Sequence, residues 1–286
     1  MKDYVKENQQ ILERWRAKFA EDKKSDEEYI DLDPAKYFAF DGLMNKGEFY
    51  VDKRDDIAPT EWTCRRRPCG IESELWANSP LRVLILGKDP NGYDCEAWDV
   101  RTETYYIKGK GIPPQNNEIS ESVFYQNAAC ALYGIFHTDL DRGIMNYNDI
   151  TWEDALHFSD DLMFARVNCK KETGGPTCTP SVLNKAVREY FDFLSAQIKE
   201  LDADIIICSG KSSIIHILNK IYNKSFVQVP EAQGAWYNEK ENKLAIDCYH
   251  LSWPYASVGD EVYNSILEPY FAFLQQHPDF INSHRK

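Results

Sequence analysis

Four short segments place a chemically useful residue directly after a run of apolar ones: Gly87-Lys88-Asp89-Pro90-Asn91, Asn168-Cys169-Lys170-Lys171, Ser209-Gly210-Lys211-Ser212 and His250-Leu251-Ser252-Trp253-Pro254. A glycine leaving a strand lets the backbone pass close to a ligand, and Asp89 follows it at the tip. An Asn offers one acceptor and two donors, enough to read the edge of a nucleobase. His250 closes the last of the four runs. Each residue also has a plain structural reading. Asp followed by Pro is a helix cap and first turn, Asn168 suits a turn, and a lone His is often a satisfied structural residue. Ser209-Gly210-Lys211-Ser212 tempts a phosphate-loop reading. The Walker pattern needs a glycine five positions before Gly210, where Ile205 stands, so a P-loop is rejected.

The elements that must position these residues follow from the apolar pattern. Arg82–Leu86, Leu162–Val167, Asp204–Cys208 and Leu244–Cys248 are short, rich in Ile, Val and Leu, and read as strands buried on both faces. Between them Pro180 to Leu201 repeats apolar residues at helical spacing, with Thr179 as its cap. Ser212 to Tyr222 and Glu261 to Gln275 read as further helices. This alternation predicts an α/β protein, a three-layer α/β/α sandwich with a short, mainly four-stranded parallel sheet. Residues 1–80 are expected to form an N-terminal helix and a wrapping extension, and residues 81–286 the α/β/α domain. In such sheets ligands bind beyond the carboxyl ends of the strands, where the four segments lie.

Composition bounds the function. With 286 residues, 43% apolar and 13% aromatic, the chain can build a large core, which excludes global disorder and a disulfide-stapled mini-fold. No stretch approaches the ~20 apolar residues of a membrane span, and residues 3–24 read as an amphipathic helix rather than an export signal. A cytoplasmic location without membrane association is expected. The formal net charge of −13 weakens nucleic-acid readings without excluding them. The local basic clusters Arg65-Arg66-Arg67, Lys108 with Lys110, and Lys170-Lys171 read as solvated surface runs. The eight cysteines contain no C-x-x-C, so reduced thiols, no metal and no cofactor are expected; an iron–sulfur site built on Cys64 and Cys69 is the alternative.

The order of the four segments resembles the uracil-DNA glycosylase superfamily, over about residues 81–275. That family has a strand-tip Gly-Gln-Asp-Pro or related motif, a base-reading Asn after the second strand and a closing His-Pro-Ser-Pro motif. The chain departs from it in placing Lys88 at the Gln position and Asn91 where one branch has a methyl-excluding Tyr, and in lacking the first Pro of the closing motif. The resemblance implies hydrolysis of the N-glycosidic bond of a deaminated or damaged base. Asp89 would position water and stabilise the cationic sugar, and a neutral His250 would donate to the departing base. Asn168 would read the base edge, Gly87, Lys88, Pro90 and Asn91 would line the pocket, and Ser252 would hold a flanking phosphate. Tyr105 or Tyr106 would stack on the base, and Trp253 or Tyr255 would act as a wedge. The partner would be nucleic acid carrying a modified base, single-stranded or flipped out. The alternatives are a non-catalytic protein that binds a free nucleobase or nucleotide, and a hydrolase of small nucleosides. A continuous positive strip through Lys88, Lys108, Lys110, Lys170, Lys171 and Lys211 would favour a polynucleotide.

Overall fold

The computed structural model describes residues 2–51, 64–90, 99–103, 123–174, 178–252 and 259–284. The apolar runs form the inner strands of a sheet: β4 (Val83–Gly87), β5 (Ala165–Asn168), β6 (Ile205–Ser209) and β9 (Lys243–Cys248). Three further strands join them, β1 (Gly42–Leu43), β7 (Val227–Gln228) and β8 (Ala235–Asn238); β2 (Phe49–Val51) and β3 (Cys64–Arg66) pair separately. The main sheet has seven strands in the order β1-β5-β4-β6-β9-β8-β7. The four inner strands are mutually parallel, and β1, β8 and β7 add antiparallel edges. The expected short four-stranded parallel sheet is therefore corrected to a seven-stranded mixed one. The added strands are two to four residues long, and both residues of β7 are exposed, so no apolar run announces them.

Among the parallel strands the spatial order is second, first, third, fourth. The chain leaves β4 for β5 on one side and later reaches β9 on the other. The reversal puts a crevice at the carboxyl ends of β4 and β6, where open α/β sheets place ligands.

Alternate residues of these strands feed two cores. Val83, Ile85, Ile205, Ile207, Leu244 and Ile246 face one, with α3 (Val123–His137), α4 (Trp152–Asp161) and α8 (Gly259–Gln276) packed over it. Leu84, Leu86, Ile206, Cys208 and Ala245 face the other, covered by α1 (Tyr4–Lys23), α5 (Pro180–Glu189), α6 (Phe191–Leu201) and α7 (Ser213–Ile221). Helices thus flank both faces of the sheet. α3 and α4 fall in the stretch between the first two parallel strands, where the alternation implied helical structure but no helix was assigned to particular residues. α5 and α6 replace the single helix expected from Pro180 to Leu201. Tyr190, with φ −119° and ψ 27°, breaks the run while its ring stays buried against Trp15 and Phe19. Thr179 does cap α5, accepting from the Val182 N–H. No helix among the described residues is long and apolar enough to cross a membrane.

The N-terminal segment is tied to this sheet by polar chemistry as well as by Leu12, Trp15 and Phe19. Asp41, just before β1, is completely buried, and its carboxylate accepts from Lys171 Nζ at 2.6 Å through both oxygens. It also accepts from the Asn168 N–H (2.8 Å) and from Gln197 Nε2 of α6 (2.8 Å). Asn8 of α1 donates to the Asp41 carbonyl and accepts from Gln197. Lys171, its side chain only 1% exposed, also donates to the Asn168 carbonyl, and burial pulls its pKa down against the pull of Asp41. The lysine run at 170–171 is therefore not a solvated surface cluster. Neither is Arg66, which is buried and pairs with Asp160 at 2.6 Å.

Removing one partner of a buried ion pair leaves the other charge without compensation. Asp41→Ala is expected to cost about 3–5 kcal/mol in chemical denaturation, and the double variant Asp41→Leu/Lys171→Met to recover most of that loss. A single variant as stable as the parent would show that the pair does not anchor the segment.

Candidate functional site

The parallel ladder continues past the ends of the strands and lines up their tips. Gly87 pairs with Asn168 in register, and beyond them Cys169 N–H donates to the Gly87 carbonyl (3.0 Å) and Lys170 N–H to that of Lys88 (2.8 Å). On the other side Ser209 pairs with Cys248, and the Gly210 and Lys211 N–H groups both donate to the Cys248 carbonyl. Lys88, Asp89, Asn168, Gly210 and His250 thus occupy one edge of the sheet. Pro90 is there and buried, and Ser252 is exposed two residues beyond His250. Asn91, Tyr105, Tyr106, Lys108, Lys110, Trp253, Pro254 and Tyr255 lie outside the described residues. So does any helix that Asp89-Pro90 would begin.

Gly87 is required by space. A Cβ there would stand 2.9 Å from Asn168 Oδ1, so the Asn168 carboxamide lies directly over the tip of β4. Asn168 is 3% exposed, and its amino group Nδ2 has no hydrogen-bond partner among the described residues. Its backbone is held from beneath by Asp41 and Lys171. Buried donors without partners are rare, and each carries a cost of about 1–3 kcal/mol.

Asp89 is half-buried. Burial raises its carboxyl pKa, and the ammonium groups of Lys170 and Lys88, with a hydrogen bond from the Cys178 thiol, hold that rise back. Lys170 is itself buried and donates to the Glu172 carbonyl at 2.7 Å. A Cβ on Gly174 would lie 3.3 Å from Lys170 Nζ and 3.8 Å from Asp89 Oδ2, which places the two groups at the same point of the loop. Lys88 runs along the opposite side, its Cε 2.8 Å from where a Gly210 Cβ would be.

Gly210, Lys211 and Ser212 all have positive φ (144°, 37° and 57°). This tight exit from β6 is held by the two bonds to Cys248 and by Ser212 N–H donating to the Asp247 carboxylate. The strain keeps the turn short, so that α7 starts at the sheet edge without covering it.

His250 is fixed in one tautomer. Its Nδ1 accepts from the Ser252 N–H at 3.1 Å, which leaves the proton of a neutral ring on Nε2. Burial, with Lys88 and Arg166 nearby, lowers its pKa to about 4. The loop that carries it is pinned at Leu251, whose N–H donates to the buried Ser209 hydroxyl (3.0 Å) and whose carbonyl accepts from Asn127 of α3 (2.8 Å). Asp41, Asn127, Lys171, Gln197 and Ser209 are positioning residues to which the motif reading gave no such role. Lys171 and Ser209 stand within the four strand-end segments, and Lys171 bonds Asn168 three positions away. Asp41, Asn127 and Gln197 act across more than 40 positions of sequence, and no local pattern points to them.

Of the basic strip considered above, Lys170 and Lys171 are buried and paired, so the strip does not form through them. Among the described residues no group of three or more His, Cys, Asp or Glu side chains could hold a metal ion. No protein-family model matches the chain, and neither does any curated protein.

The His250 shift has a sign. Its pKa is about 4 in the fold and 6.5 when unfolded, so between those values only the unfolded chain takes up the proton. Stability should fall as pH drops from about 6.5 to 4, by up to about 3 kcal/mol from this residue. His250→Gln should flatten that limb when melting temperature is followed against pH; a curve parallel to the parent's would contradict the assignment.

Proposed function

We propose that the chain hydrolyses the N-glycosidic bond of a deaminated or damaged nucleobase, as the uracil-DNA glycosylases that it resembles do. The observation that carries this reading is the Asn168 carboxamide: buried, held from below, with a donor left unpartnered among the described residues, at the sheet edge that also carries Asp89. A base carbonyl is the partner this donor lacks, and an Asn reads both a donor and an acceptor on a base edge.

The chemistry follows from the neighbours. As the C1′–N bond breaks, the sugar becomes oxocarbenium-like and the base departs as an anion. Asp89, whose charged form Lys170 and Lys88 favour, stabilises the cation and orients the water whose oxygen bonds to C1′. That water yields one proton, and the departing base takes one up. His250, neutral and with its proton on Nε2, donates a hydrogen bond to the base oxygen where negative charge develops. Ser252 would hold a flanking phosphate.

A second reading has an observation of its own. With Lys170 and Lys171 withdrawn into buried pairs, the edge has less free positive charge than a polynucleotide site is expected to show. This favours a small nucleoside as substrate, or a free nucleobase or nucleotide bound without catalysis.

The test is release of free base from oligonucleotides carrying uracil, hypoxanthine or xanthine, with the matching nucleosides run in parallel. On the best substrate Asp89→Asn should lower turnover by about 10²–10³, by analogy with loss of an oxyanion donor, and change binding far less. Unchanged turnover with a lowered melting temperature would reduce Asp89 to a structural residue and leave the binding-protein reading standing.

A further inference from the structure

A groove of about 530 Å³ runs between α5 and α7 on the outer face of the molecule. Its floor is apolar: Leu183 and Val187 of α5 and Ile217 of α7 are each buried. Its walls are polar, with Asn184 and Arg188 one turn apart on α5 and Ser212, Ser213, His216 and Lys220 along one side of α7. No carboxylate is among the described lining residues, although the chain carries a formal charge of −13. Arg188 has no hydrogen bond or ion pair with another described residue, and the exposed Lys220 rests its ammonium group over the Phe191 ring, 4.6 Å from the centroid, with no carboxylate partner among the described residues. Both ends of the groove wall start at the candidate site. Pro180 follows Cys178, whose thiol contacts Asp89, by two residues, and Ser212 closes the strained turn after β6.

We propose that this groove is a track for the sugar–phosphate backbone of single-stranded nucleic acid. Guanidinium, ammonium, hydroxyl and carboxamide groups are the side chains that hold phosphates without reading sequence. Here they form two facing rows over an apolar floor that suits sugar faces, in a molecule that otherwise repels polyanions. An acidic peptide would match the charge, but the hydroxyl and carboxamide rows and the continuity with the base-recognition edge favour the nucleic acid. The choice of partner rests on the hydrolase reading; the groove supplies the positive charge that the strip through Lys170 and Lys171 does not.

The experiment is fluorescence anisotropy of a labelled oligodeoxythymidine over a series of salt concentrations, using the full chain. The parent should bind, and Arg188→Glu/Lys220→Glu should weaken binding about ten-fold or more. The slope of log K against log salt should become shallower by about 1.4, two single-strand phosphate contacts at roughly 0.7 each. Arg188→Gln/Lys220→Gln should show a smaller loss of the same kind, with an unchanged melting temperature. Lys240→Glu, on the turn between β8 and β9 at the far edge of the sheet, should bind as the parent does. Equal slopes in parent and charge-reversed protein, or no binding by the parent at low salt, would overturn the track. So would polyglutamate competing as well as the oligonucleotide, which would make the groove a peptide dock. Cleavage of the same oligonucleotide carrying uracil separates the two readings. Binding that maps to the groove without cleavage removes the hydrolase reading and keeps the track; cleavage and affinity both indifferent to the charge reversal do the opposite.

Discussion

The carboxylate of Asp41 has no solvent and accepts four hydrogen bonds from three groups: two from Lys171 and one each from Gln197 and the Asn168 backbone. Those donors come from the loop after β5, from α6 and from the last residue of β5. The carboxylate itself sits at the start of an edge strand supplied by the N-terminal segment. The order of the sheet, the seating of α1 through Asn8, and the height of the Asn168 side chain over Gly87 are consequently settled by one buried charge and its partners. Buried pairs of this kind are poor sources of net stability. Their effect is geometric: with every lone pair committed, Asp41 admits one arrangement of the backbone at the tip of β5. Two atoms of this network, Asn168 Nδ2 and Gln197 Oε1, have no hydrogen-bond partner among the described residues.

Charge is where sequence and structure part most clearly. Arg66, Lys170 and Lys171 stand in runs of basic residues that look solvated, yet all are buried. Their partners Asp160, Glu172 and Asp41 differ in what a linear reading could see. Glu172 is two residues from Lys170, while Asp160 and Asp41 lie 94 and 130 positions away from Arg66 and Lys171. Local composition carries no trace of such pairings. The same holds for α3 and α4, which close one face of the sheet from within a stretch whose turns and aromatics hide the helical period.

What was legible obeys short-range rules. The four parallel strands follow from runs of Ile, Val and Leu too short for buried helices, and the cap of α5 from Thr-Pro. The placement of Asp89, Asn168 and His250 at one edge follows from strand ends and parallel topology. The outer strands β1, β8 and β7 were not legible, because two to four residues are too few to show a period. The break at Tyr190 was not legible either: no Gly or Pro marks it, and the tertiary demand to bury an aromatic against Trp15 decides it.

Lys88 ties the electrostatics of the edge together. Asp89 and His250 are both penalised by burial in their charged forms. The Lys88 ammonium acts on each with opposite consequence, favouring the charged carboxylate and disfavouring the charged imidazole. Lys170 reinforces the first effect and Arg166 the second. The proposed hydrolysis would use both effects, since one group would face a growing cation and the other a growing anion. Lys88 can hold this place only while Gly210 stays small, because its stem passes through the space that a Cβ would fill.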